Sequence, residues 1–155
     1  MEKGEASMRP NPKVDSALHV LKGAVQKVLG AWLTTSVFAE GNKGRLTVEY
    51  DGKPTQEQMR EIEKLANQKI AENVPIEMFE MEKEEAEKKF GRIIYDKFPV
   101  PSHVKRLTIT RIKDWNINCC LGPHVKTTGE IGKIKILKWR ARRSRKELEI
   151  SFEVG

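Results

Sequence analysis

Four residues have types and spacings that could hold a metal ion. Asp15 and His19 stand one helical turn apart, in a stretch whose apolar residues recur with a helical period. Side chains at i and i+4 share a helix face, so carboxylate and imidazole would project together. Cys120 and His124 repeat that interval around Leu121, Gly122 and Pro123, a turn-forming sequence. Where helix and turn meet, the four present oxygen, nitrogen, sulfur and nitrogen, and Zn²⁺ accepts all three atom types in tetrahedral geometry. Plainer readings stand beside this one. An Asp–His pair on a helix commonly serves a solvated face. Cys119, which lacks the histidine at that spacing, reads as a small buried hydrophobe. His103, after Pro101 and Ser102, reads as a surface residue.

These side chains need a frame. Val14, Ala17, Leu18, Leu21, Ala24, Val25, Val28 and Leu29 form the stripe of an amphipathic helix over residues 14–29, with Gly30 as its stop and His19 off the stripe. Strands are expected at 34–39 and 45–50, joined by a loop at 40–44. Thr55 and Gln58 make a capping box for a second helix that buries Met59, Ile62, Leu65, Ala66 and Ile70. A short strand at 76–81, a highly charged helix at 83–90 and a strand at 106–113 follow. Within 132–142 the apolar parity shifts from Ile134 and Ile136 to Leu137 and Trp139, which calls for a β-bulge. Residues 147–154 alternate cleanly and form a hairpin with that strand across 143–146. The expected class is α+β: an antiparallel sheet packed with an N-terminal helix and middle helices. Residues 1–13, polar and carrying Pro10 and Pro12, read as a flexible tail, and 14–155 as a single domain.

The chain has 155 residues, with 29 Lys and Arg against 22 Asp and Glu, a net charge of +7. The charge is unevenly placed. Residues 57–96 hold 11 acids and 7 bases, whereas residues 97–155 hold 14 bases and 5 acids. Residues 133–146 hold eight bases and no acid. Such a stripe is the footprint of a polyanion, nucleic acid first. Cross-strand pairing with Glu147, Glu149 and Glu153 would neutralise only part of it. With 33% charged and 38% apolar residues, the chain is neither disordered nor collagen-like. No apolar run approaches the ~18 residues that span a bilayer. The opening residues lack the apolar core of a secretory signal. Adjacent Cys119 and Cys120 cannot frame a disulfide scaffold. Together these features place the protein in the cytoplasm, away from membranes.

The residues from Cys120 to Ile136, with Thr128-Gly129-Glu130-Ile131-Gly132 close behind the Cys–His pair, resemble the CxxxHxxxTGEIGxxKI signature of the alanyl-tRNA synthetase editing domain. That domain also stands alone in the alanyl-tRNA editing proteins of the AlaX family. The helix from Asp15 to Ala24 resembles the family's HxxxH helix. The turn Gly41-Asn42-Lys43-Gly44 and the stretch from Asp114 to Asn118 are similar to its short archaeal type. The resemblance runs from Val14 to the C-terminus. Threonyl-tRNA synthetases carry a related domain.

The resemblance implies a zinc-dependent hydrolase of mischarged tRNA, with one zinc ion held by Asp15, His19, Cys120 and His124. Asp15 stands where the family has its first histidine. Aspartate and one thiolate would leave a net neutral site around Zn²⁺, a weaker Lewis acid than one with three imidazoles. The implied substrate is serine, or glycine, on the alanine tRNA, because a pocket for alanine rejects serine poorly. Thr34 is the nearest match to the strand threonine that reads the serine hydroxyl, with Thr35 beside it, and both also suit ordinary strand positions. Gly129 and Gly132 would let the backbone approach the terminal adenosine, although turn geometry alone would also require glycine. Lys133, Lys135, Arg140, Arg142, Arg143 and Arg145 would contact phosphates. The Asp15 departure keeps a second class open: a metal-free relative that binds tRNA or a synthetase without catalysis. Editing of another mischarged tRNA, or hydrolysis of another small ester, also stays open.

Overall fold

Asn11 starts the first helix. Its side-chain oxygen accepts from the backbone N–H groups of Lys13 and Val14, at 3.0 and 3.4 Å. Pro12 follows, where a fixed φ is pre-set for a first turn. Helix α1 (Pro12–Leu29) then runs to Gly30, whose φ of 75° and N–H to the Gln26 carbonyl close it. The computed structural model describes residues 11–97 and 100–155. The expected tail therefore lies mostly outside the described residues, while its last three, 11–13, are the cap and first turn of α1. The helix buries more than its apolar stripe. Ser16, His19 and Lys22 are buried as well. His19, expected off the apolar face, is only 3% exposed, because a second sheet covers that side of the helix.

The strands are antiparallel, as expected, but they divide between two sheets. The larger contains β1 (Thr34–Glu40), β2 (Lys43–Glu49), β6 (Ile134–Arg142) and β7 (Glu147–Val154), in the order β1-β2-β7-β6. Glu40 pairs with Lys43, so the loop expected at 40–44 is a two-residue turn, Gly41-Asn42, with Gly41 at φ 62°. Leu46 faces Ile150 and Val48 faces Leu148 across the central pair. The register of β6 shifts between Ile136 and Lys138, the bulge that the parity change requires.

Helix α2 (Gln56–Glu72) opens on the reciprocal Thr55–Gln58 capping box and closes on Asn73 in the left-handed region. Together with α1 it covers the inner face of this sheet. Leu21, Met59, Ile62, Leu148, Ile150 and Phe152 are fully buried there.

The smaller sheet contains β3 (Glu77–Glu82), β4 (Arg106–Ile112) and β5 (Asn116–Cys119), in that order. Helix α3 (Lys83–Phe90) and the 3₁₀ turn Gly91–Ile94 close a second cluster around Ala86, Ile94, Tyr95, Leu107 and Ile109. The edge strand β5 is not expected from the sequence. It borders α1: the Trp115 Nε1–H donates to the Val20 carbonyl at 2.9 Å. Trp115 also lies where any side chain on Gly23 would be. This contact between helix and second sheet positions the site.

Candidate functional site

Helix α1 supplies His19, and the loop leaving β5 supplies Cys120 and His124. Their ligating atoms all lie within 4.8 Å of one another, the group of His, Cys, Asp and Glu among the described residues that could hold a metal ion. Cys120 Sγ is 3.5 Å from His124 Nε2. The His19 and His124 rings meet edge-on, centroids 4.8 Å apart. A tetrahedral Zn²⁺, with bonds of about 2.3 Å to sulfur and about 2.0–2.1 Å to nitrogen, would hold an S–N pair about 3.6 Å apart. The donor set and its spacing fit zinc.

Each imidazole is held from behind. His19 Nδ1 hydrogen-bonds Asn116 Oδ1 at 2.9 Å, which leaves its Nε2 for a ligand. His124 Nδ1 lies 3.5 Å from Thr110 Oγ1, whose hydroxyl donates to the Cys120 carbonyl at 3.1 Å. Burial, then the Lys22 ammonium and His124, hold the His19 imidazole well below the ordinary histidine range, against the bond that His19 makes to Asn116 Oδ1. Burial and Lys22 lower His124 as well. Both rings are therefore neutral, the form that binds metal. Burial raises the Cys120 thiol, opposed by the Gly122 N–H and by Lys22 and reinforced by Asp15 and Asp96.

The sequence-derived candidates fall in different places. Asp15 is half-buried on α1 and close enough to raise the Cys120 thiol, but it does not join the compact group of three. Burial raises its own carboxyl. Thr34, the first residue of β1, is 2% exposed, and its Oγ1 has no hydrogen-bond partner among the described residues. Thr35 differs: its hydroxyl donates to the Thr47 carbonyl. Cys119 packs on the second cluster, where burial pushes its thiol up to about 11. His103 is exposed, as expected.

Gly129 donates its N–H to Asn73 Oδ1 at 3.1 Å and leaves no room for a Cβ beside that side chain. Gly132 has φ 97°, and a Cβ there would meet the Gly155 carbonyl. Local packing thus accounts for both glycines. Lys133, Lys135 and Arg140 are exposed at or on edge strand β6, and Arg143 and Arg145 in the turn after it. Lys135 lies opposite Glu153 and Arg140 opposite Glu149. Arg142 differs in pairing with Glu149 at 2.8 Å.

A cleft of about 460 Å³ reaches the histidine–cysteine group through Asn116, although His19, Cys120 and His124 do not line it. Asn116 belongs to both, since it holds His19 and lines the cleft. Thr34, Lys22, Asp96, Trp115 and Asn118 line it too. Spacing and type alone give Lys22, Asp96, Asn116 and Asn118 no role. The available signal is the three-residue interval from His19 to Lys22, which puts both on one helix face.

Residues 107–148, which span β4 to the start of β7, match the family described as the threonyl and alanyl tRNA synthetase second additional domain. The chain is 39% identical over 125 residues to an alanine–tRNA ligase of Methanococcus aeolicus, and 40% identical over 125 residues to one of Archaeoglobus fulgidus. Each alignment covers 79% of this chain and 13% of the relative. An alanine–tRNA ligase of Methanopyrus kandleri is 34% identical over 136 residues, 86% of this chain and 14% of the relative. The chain thus spans a small fraction of the length of these relatives. Residues 107–148, the strands and loop that carry Cys120, His124 and the Thr128–Gly132 turn, thus carry the threonyl and alanyl tRNA synthetase second additional domain, and the chain resembles the alanine–tRNA ligases over most of its own length.

Proposed function

We propose that this chain hydrolyses the ester bond of mischarged aminoacyl-tRNA, with serine or glycine on the alanine tRNA as substrate. The observation that carries this reading is Thr34. A buried hydroxyl without a partner costs about 1–3 kcal/mol, and this one lines a cleft that reaches a zinc-type donor set through Asn116. A substrate hydroxyl would supply the missing hydrogen bond, and alanine has none to give. The relatives' names support the choice of tRNA.

His19, Cys120 and His124 would hold one zinc ion, with Asp15 completing the set. Bound there, zinc would supply Lewis-acid polarisation of the ester carbonyl and a lowered pKa for water. Asn116 fixes the His19 ring, and Thr34 orients the amino-acid side chain. Gly129 and Gly132 leave bare backbone for the terminal adenosine. Lys133, Lys135, Arg140, Arg142, Arg143 and Arg145 bind phosphates, so affinity falls with salt. The reaction belongs to the cytoplasm.

The test is the rate of release of serine and of alanine from the alanine tRNA, with and without a zinc chelator. Rapid, chelator-sensitive loss of serine with alanine retained is expected. Retention of both amino acids would overturn the reading.

A further inference from the structure

One turn beyond His19, a second constellation faces the same cleft. Lys22 Nζ donates to Asn118 Oδ1 at 2.7 Å and lies 3.5 Å from Asp96 Oδ1. Asn118 Nδ2 donates to the Ile94 carbonyl at 2.9 Å and to Asp96 Oδ1 at 3.3 Å. Lys22 and Asn118 are buried, whereas the Asp96 side chain is 40% exposed. Both contacts fall on the Oδ1 of Asp96. Its Oδ2 accepts no hydrogen bond from the described residues. The next residue, Lys97, donates its backbone N–H to the Thr34 carbonyl at 2.8 Å, which staples this carboxylate beside the start of β1.

We propose that Asp96 Oδ2 accepts the α-ammonium of the bound aminoacyl ester, so that the protein selects esters with a free, charged amine. This rests on the aminoacyl-ester reading above. The α-carbon of such an ester carries a carbonyl, an ammonium and a side chain. Thr34 meets the side chain, and the carbonyl belongs at the His19–Cys120–His124 group. The ammonium then needs an anionic acceptor on the remaining wall. Asp96 has the charge, a free oxygen, and an orientation fixed through its other oxygen. Lys22 meets it through Oδ1, at 3.5 Å, and makes its shorter contact to the neutral Asn118 amide on the buried side. A charge-assisted N–H···O bond there outlasts a neutral one by a wide margin. A site built around such a bond rejects analogues that lack the donor.

The test uses two non-hydrolysable probes. One is 3′-deoxyadenosine carrying serine through a 3′-amide. The other is the same amide with a hydroxyl in place of the α-ammonium. Calorimetry on the wild-type chain is expected to show at least tenfold tighter binding of the ammonium probe. Asp96→Asn keeps an oxygen for Lys22 and Asn118 and removes only the charge, so the two probes should then bind within about twofold of each other. Asp114→Asn, which neutralises the other cleft-lining acid, should keep the tenfold preference. Asp96→Ala repeats the test should the Asn variant melt early.

Equal binding of the probes to wild type, an undiminished preference in both Asp96 variants, or no binding of either probe overturns the proposal. The editing reading is judged separately, by release of serine from tRNA. Serine released as fast as its α-hydroxy counterpart would sink the Asp96 proposal and leave editing standing. No release, together with an Asp96-dependent preference between the amides, would do the reverse.

Discussion

Ser16 Oγ, fully buried in α1, accepts a hydrogen bond from the backbone N–H of Val125 at 2.9 Å. This ties the residue after His124 to the helix that carries His19, across 109 positions of chain. Ser16→Ala leaves that N–H without its partner, which should cost about 1–3 kcal/mol in urea unfolding. The variant should also bind zinc about 10–100-fold more weakly in competition with a chelator, although no ligand is touched. Lost stability with unchanged zinc affinity would mean that the tie does not hold the centre together.

Asp15 is the proposed ligand that metal analysis will judge most directly. Asp15→Ala should lower zinc affinity while sparing the fold, because the carboxylate is only half-buried and makes no side-chain hydrogen bond among the described residues. His19→Ala should abolish stoichiometric zinc. Equal zinc content in wild type and Asp15→Ala after dialysis against a weak chelator would leave His19, Cys120 and His124 as the complete protein set.

Thr34→Val removes a hydroxyl that has no partner among the described residues and keeps the shape of the side chain. In most buried sites this exchange destabilises; here the melting temperature should hold or rise, since no hydrogen bond is lost. Serine release should slow by at least tenfold, because the substrate hydroxyl would face a methyl group. A variant as fast as wild type would remove Thr34 from specificity.

Tyr95 should give the fold an alkaline limit. Burial, followed by its 2.7 Å bond to Glu87, raises the phenol above its ordinary value. Above about pH 10 the unfolded chain loses this proton and the folded chain keeps it. The folded state then binds more protons, so stability is intact below about pH 10 and falls as pH rises beyond it. Urea titrations at pH 8, 10 and 11 should show that decline, and Tyr95→Phe should flatten it at a cost of about 1 kcal/mol near neutrality. An unchanged slope in the variant would assign the decline to other groups.

Arg143 and Arg145 test the basic turn more cleanly than Arg142, which already pairs with Glu149. Reversing both to Glu should weaken tRNA binding and lower the slope of log K against log salt by about two. The hairpin should tolerate this, because both side chains are exposed. An unchanged slope would move the phosphate contacts elsewhere.

Elements whose own periodicity reports their burial are legible in the amino-acid sequence. The α1 stripe, the Thr55–Gln58 box, the β6 bulge and the β6–β7 hairpin are of that kind. β5 is not. Its four residues, Asn-Ile-Asn-Cys, alternate without a β-forming pattern, and only pairing with β4 makes them a strand. The same strand explains why part of the site is hidden in the sequence. Because β5 covers α1, His19 and Lys22 are buried, and Asn116 and Asn118 turn from loop amides into their partners. In a sequence, a buried polar residue looks the same as a solvated one. Cys120, His124 and His19 are legible as a group because a set of donors able to hold a metal is constrained in spacing as well as type.

Trp115 gives the molecule a built-in optical probe. Its indole is wedged against Gly23, bonded to the Val20 carbonyl, flanked by the Lys27 and Lys69 ammonium groups at 5.3 and 4.7 Å, and open to the cleft on its remaining side. A ligand entering the cleft displaces water from one face of a chromophore whose other surroundings are fixed. Intrinsic fluorescence therefore reports cleft occupancy without a label. Trp32 lines the same cleft, while Trp139, on β6, lies outside it. Replacing Trp32 and Trp139 by Phe would leave one emitter, placed between the helix that carries His19 and the strand that holds it.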